Sequence, residues 1–79
     1  MYNFKFTCKT VTGNTVSKEF NWKRLTQFRL NSLLMLLQTC YEAELEELNT
    51  GCKLHGNPQT SMFVLDKFLD EVDMSKDCM

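Results

Sequence analysis

The chain has 79 residues, nine basic and ten acidic side chains, and a formal net charge of −1. That length confines it to one domain with a small core, and its longest unbroken apolar run, Leu33 to Leu37, is too short to cross a bilayer. The charge is unevenly divided: residues 1–29 carry a net +5 and residues 30–79 a net −6, an asymmetry that points to charged partners.

Tyr2, Phe4, Phe6 and Cys8 alternate with Asn3, Lys5 and Thr7, the period of a strand with one buried face. Val16, Phe20 and Trp22 repeat the pattern, with Lys18 the one polar residue on their side. Gly13-Asn14 between the runs marks a hairpin over 2–22. A two-residue turn there sets Phe6 opposite Asn21 and mixes apolar with polar on both faces. A three-residue loop, Thr12 to Asn14, pairs Phe6 with Phe20 and Phe4 with Trp22, so this register is expected, with Gly13 or Asn14 at positive φ. Asn3, Lys5, Thr7, Lys9, Ser17, Glu19, Asn21 and Lys23 then form the outer face.

The next stretch predicts a long helix over about residues 24–49, capped by Asn21 or Thr26. Leu30, Leu33, Leu34, Leu37, Tyr41, Leu45 and Leu48 fall within one face about 120° wide. Leu25, Phe28, Met35 and Leu36 lie off it and need separate cover, so a homodimer through those four residues is expected. Glu42, Glu44, Glu46 and Glu47 crowd the last two turns, where they oppose the helix dipole. Gly51 is placed as the residue that ends the helix.

Residues 50–59 read as a loop, and Thr60 or Ser61 caps a second helix to about Met74. Its apolar face is Leu65, Phe68, Leu69 and Val72; Asp66, Asp70, Asp73 and Asp77 form a second line. The expected fold is α+β in the order ββαα, a hairpin packed on a long helix with a shorter helix behind.

The four cysteines, at 8, 40, 52 and 78, contain no CxxC, and the chain opens MYNFKF rather than on a signal-like segment. Reduced thiols and a cytoplasmic location are therefore expected. Cys52 and His55 have a spacing that two zinc ligands can use, but a third and fourth ligand are missing. His55 is the only histidine, and there is no HExxH, GxSxG or glycine-rich phosphate loop. No catalysis, cofactor, metal, membrane or small-molecule substrate is expected.

Two charged surfaces remain. Asp66, Asp70, Asp73, Asp77, Glu42 and Glu46 suit a basic surface on a protein partner. Lys5, Lys9, Lys23, Arg24 and Arg29 suit weak, salt-dependent contact with nucleic acid. The first is favoured, because the aromatic rings are needed inside and leave no stacking platform. The expectation is a small interaction module, an inhibitor or adaptor of the kind that phages and mobile elements direct at host defence or nucleic-acid enzymes. The alternatives are a nucleic-acid-binding module and a dimeric structural or regulatory protein.

Overall fold

The computed structural model describes residues 1–10 and 12–77, so Cys78 lies outside the described residues. Four strands and two helices follow the order β1 (Tyr2–Lys9), β2 (Thr15–Trp22), α1 (Gln27–Thr39), β3 (Glu42–Glu47), β4 (Lys53–Gly56) and α2 (Met62–Asp77). The strands form one antiparallel sheet in the order β2-β1-β3-β4. One hydrophobic cluster joins Phe4, Phe6, Ala43 and Leu45 of the sheet to Leu33 and Leu37 of α1 and Leu65, Phe68, Leu69 and Val72 of α2. Both helices therefore cover the same face of the sheet. The opposite face is polar and open.

The α+β class holds, but the order ββαα does not. The expected helix over 24–49 stops at Thr39, and residues 42–47 pair with β1 as a central strand. Tyr41, assigned to the apolar face of that helix, is 83 % exposed, and Leu48 is exposed beyond the end of β3. Alanine, leucine and glutamate are strong helix formers, so local propensity favoured a helix; pairing overrides it. The same six residues also have period two, with Ala43, Leu45 and Glu47 inward and Glu42, Glu44 and Glu46 outward. The misfit of four glutamates with a helix C-terminus disappears, because in the strand Glu42 stands opposite Lys9 and Glu46 lies between Lys5 and Lys53.

The expected loop over 50–59 contains β4. Gly51 does have positive φ (76°), but it turns the β3–β4 hairpin instead of ending a helix. Its N–H donates to the Glu47 carbonyl at 2.8 Å. Gly56 is a point of close approach: a Cβ there would lie 2.6 Å from Leu37 Cδ2, so only glycine lets α1 settle on β4.

The first hairpin has the expected faces and a different register. Phe4 pairs with Phe20, Phe6 with Lys18 and Tyr2 with Trp22, an offset of two residues from the expected pairing. An even offset leaves every side chain on its own face. The turn is centred one residue earlier because Thr10 closes it, its N–H donating to the Asn14 carbonyl and its hydroxyl accepting from the Asn14 N–H. Gly13, at φ 88°, supplies the positive φ.

Thr26 is the cap of α1, its hydroxyl accepting the Arg29 N–H at 3.2 Å. Leu33 and Leu37 are buried, and Leu30 and Leu34 are half-buried. Of the four residues expected to need a partner, Phe28 is 80 % and Met35 65 % exposed. Leu25 and Leu36 are half-buried against the core.

Cys8 at the end of β1 and Cys40 at the end of α1 form a disulfide, with Cα atoms 6.2 Å apart. The expectation of thiols throughout is thus corrected for these two. No CxxC spacing announced the pair, because residues 32 apart in sequence meet only once β3 lies beside β1. No helix among the described residues is long and apolar enough to cross a membrane.

Candidate functional site

The aspartate line is continuous. Helix α2 runs to Asp77, so Asp66, Asp70, Asp73 and Asp77 occupy one stripe about 16 Å long. All four are exposed. Among the described residues none of them is in an ion pair within 4 Å, where the single such contact is His55 Nδ1 to Glu44 Oε2 at 4.0 Å. Phe63 (68 % exposed) and Met74 (67 % exposed) border the stripe. The helical period places Phe63 one turn before Asp66 and Met74 one turn beyond Asp70, a relation the sequence already contained.

Glu42 and Glu46 do not belong to this surface. They lie on the open face of the sheet, across the molecule from α2, among Lys5, Lys9 and Lys53. The expected acidic site is therefore divided: four aspartates form a surface, and two glutamates belong to a grid of alternating charge.

Asp73 has an internal partner as well. It accepts a 2.6 Å hydrogen bond from the Tyr2 hydroxyl, while Lys76 Nζ stands 3.6 Å over the Tyr2 ring centroid and donates to the Met1 carbonyl. The start of β1 is thus held between two side chains of α2. The hydrogen bond to Asp73, then burial, then the negative charges of Asp73 and Glu47 push the Tyr2 phenol up from 10.0 to about 12. The folded state holds this proton more tightly than the unfolded chain. Its contribution to stability is complete below pH 10 and is lost as the pH rises from about 10 through about 12. In a Tyr41→Phe background, absorbance titration should show Tyr2 ionising about two pH units late. Asp73→Ala should return it towards the ordinary range, and an unchanged titration in that variant would rule out Asp73 as the cause.

A cleft of about 700 Å³ opens beside the stripe, with Asp66, Asp70 and Asp73 on one wall and Lys23 and Arg24 on the other. Tyr2, Leu25, Leu30 and Leu69 complete it. Lys23 and Arg24 follow β2 directly, so the β2–α1 connection carries cations to the acidic helix. Sequence separation concealed this meeting.

The five basic candidates are dispersed. Lys5 faces Glu19 and Glu46 on its two sides, and Lys9 faces Glu42. Lys23 and Arg24 belong to the cleft. Arg29 donates to the Arg24 carbonyl at 2.7 Å and lies 5.3 Å over the Trp22 ring centroid. No continuous basic face results.

Cys52 and His55 do not converge. His55 is exposed on the open face opposite Glu44, whereas Cys52 is half-buried on the helix side with its Sγ 3.7 Å from Ser75 Oγ. Among the described residues no group of three or more His, Cys, Asp or Glu is placed to hold a metal ion. Comparison with protein-family models, with curated proteins and with solved structures finds no match to this chain.

Proposed function

We propose that the protein is a non-catalytic interaction module, an inhibitor or adaptor, that uses the exposed side of α2 to hold a basic segment of a protein partner. The observation that carries this reading is the stripe of four exposed aspartates along one helix, without cationic partners within 4 Å among the described residues. Charge of one sign collected on one stripe repels itself by a few tenths of a kcal/mol per neighbouring pair, a cost that contact with cations offsets. Phe63 and Met74 supply apolar anchors beside it. Lys23 and Arg24 on the far wall repel a uniformly cationic ligand and so favour one that alternates in charge. The module also self-associates through the exposed side of α1, with Phe28 and Met35 at the contact. The nucleic-acid alternative has lost its continuous surface. A cytoplasmic site of action, with a phage or mobile element as source, remains part of the proposal and requires that the fold persist without the Cys8–Cys40 disulfide, because thiols are kept reduced there.

The test replaces Asp66, Asp70 and Asp77 with asparagine and leaves Asp73 to hold Tyr2. Stability should stay within a few tenths of a kcal/mol of the parent or rise slightly, as i,i+4 repulsion is removed. Parent and variant serve as baits in nuclease-treated lysate. A protein retained by the parent and lost by the variant supports the proposal. Equal retention reduces the stripe to a solvated face, and capture that nuclease abolishes transfers the function to the basic residues.

A further inference from the structure

The cleft beside α2 has walls of opposite charge. Asp66, Asp70 and Asp73 line one side, Lys23 and Arg24 the other, and Leu25, Leu30 and Leu69 lie between them. Leu69 is buried, and Leu25 and Leu30 are half-buried against the core, so this apolar floor is fixed. The walls do not neutralise each other: among the described residues neither Lys23 nor Arg24 has a carboxylate within 4 Å. Arg29, whose guanidinium donates to the Arg24 carbonyl, adds a third positive charge behind them. Exposed ion pairs are worth little against water, so a chance closure of the walls is no barrier to a ligand. Asp73 is engaged by the Tyr2 hydroxyl. Asp66 and Asp70 are therefore the open acceptors of the acidic wall.

Their spacing selects the conformation that fits. One helical turn separates Asp66 from Asp70, a rise of about 6 Å. In an extended chain every second side chain returns to the same side after about 6.6 Å, and the one between points the opposite way. Two basic side chains spaced in this way meet the two aspartates, a mismatch smaller than the reach of lysine or arginine. The intervening side chain is then directed at Lys23 and Arg24, where a carboxylate is complementary. The aliphatic stems of the bases lie on Leu25, Leu30 and Leu69. Three consecutive residues thus satisfy both walls and the floor.

Resting on the role proposed above for α2, we infer that this cleft holds an extended segment of the protein partner in which one acidic residue lies between two basic ones. The bases meet Asp66 and Asp70, and the acid meets Lys23 and Arg24. Those two cations are then the residues that set specificity. Alone, the aspartate stripe attracts any polycation. With Lys23 and Arg24 across from it, a ligand is repelled unless it brings a carboxylate to the middle position, so the same side chains select for one segment and against others. Charge complementarity of this kind fixes register more than it adds affinity.

Three capped synthetic peptides of equal length are the probes: lysine and glutamate in strict alternation, the same composition in two blocks, and lysine alone. Titrating each into isotope-labelled protein at low ionic strength, followed by amide NMR shifts, gives affinity and location together. In the parent, the alternating peptide should bind about ten-fold tighter than the block peptide, shifting amides of residues 23–25 and 66–73. This comparison needs no variant. Lys23→Glu with Arg24→Glu changes two exposed side chains, and circular dichroism confirms its fold. It should weaken the alternating peptide about ten-fold and tighten the all-lysine one. Equal affinity for the alternating and block peptides overturns the inference, as does a bound peptide that transferred NOEs show to be helical. If the all-lysine peptide is lost with Asp66→Asn and Asp70→Asn but indifferent to the Lys23 and Arg24 changes, the cationic wall has no role and the stripe stands. Failure of every peptide to bind overturns the cleft as a site, while the lysate comparison still decides separately on the stripe.

Discussion

Reducing the Cys8–Cys40 disulfide should lower the unfolding free energy by about 3–4 kcal/mol. The figure follows from the entropy of a chain loop closed by a bridge of sequence separation 32, which the cross-link withholds from the unfolded ensemble. Small domains have on the order of 5–15 kcal/mol in total, so the bridge accounts for a large share. Urea unfolding with and without reductant measures the difference, and Cys40→Ser should reproduce the reduced curve under both conditions. Thiol titration of the unfolded chain gives an independent check, with two more thiols after reduction than before. Coincident unfolding curves together with equal thiol counts would show that the cysteines are unpaired in solution.

Glu47→Ala should cost about 2–5 kcal/mol, the second large effect. This carboxylate is fully buried on the helix side of the sheet, opposite Phe4, yet is well supplied with donors. It accepts the Asn3 N–H at 2.8 Å, the Thr50 N–H at 2.9 Å and the Asn49 amide at 3.4 Å. Its own N–H donates to the Cys52 carbonyl and its carbonyl accepts from Gly51. One residue thus holds the β3–β4 turn and the start of β1 together. Removing the side chain strands two backbone amides, at about 1–3 kcal/mol each. Glu47→Gln, which keeps one acceptor oxygen, should lose less. The neighbouring Glu46→Ala should stay within about 0.5 kcal/mol of the parent, because Glu46 faces outward. If Glu47→Ala melts with that control, the carboxylate does not hold the turn.

The sequence was readable wherever pattern and propensity agreed. Phe4 and Phe6 alternate and are β formers; Leu65, Phe68, Leu69 and Val72 repeat with a helical period in a helix-forming context. Both segments took the expected form and buried the expected side. Reading failed at residues 40–56, where EAELEE satisfies two periods and only its opposite numbers decide. Pairing with β1, more than thirty positions upstream, and burial of Ala43 and Leu45 decide for the strand, and Lys5 and Lys9 then face the outward glutamates. The disulfide and the Lys23–Arg24 wall of the cleft escaped for the same reason, since each joins positions remote in the chain. The four aspartates were legible because a helix carries its own geometry; the separation of Glu42 and Glu46 from them was not, because it depended on where the first helix ended.

The sheet consists of two locally connected hairpins, β1–β2 and β3–β4, zipped together along β1 and β3. Each hairpin closes across a short turn and can form early, whereas the zip must wait until distant segments meet by diffusion. Before that moment only the four-residue β4 holds EAELEE extended, so a nascent α1 can compete with the hairpin for it. Cys8 and Cys40 stand at one end of the zip. Oxidised, they convert a long search into a short one, and the chain starts each refolding attempt with its slowest encounter already made. The cross-link is thus a catalyst of its own fold's assembly as well as a brace, and the redox history of the chain sets its folding rate.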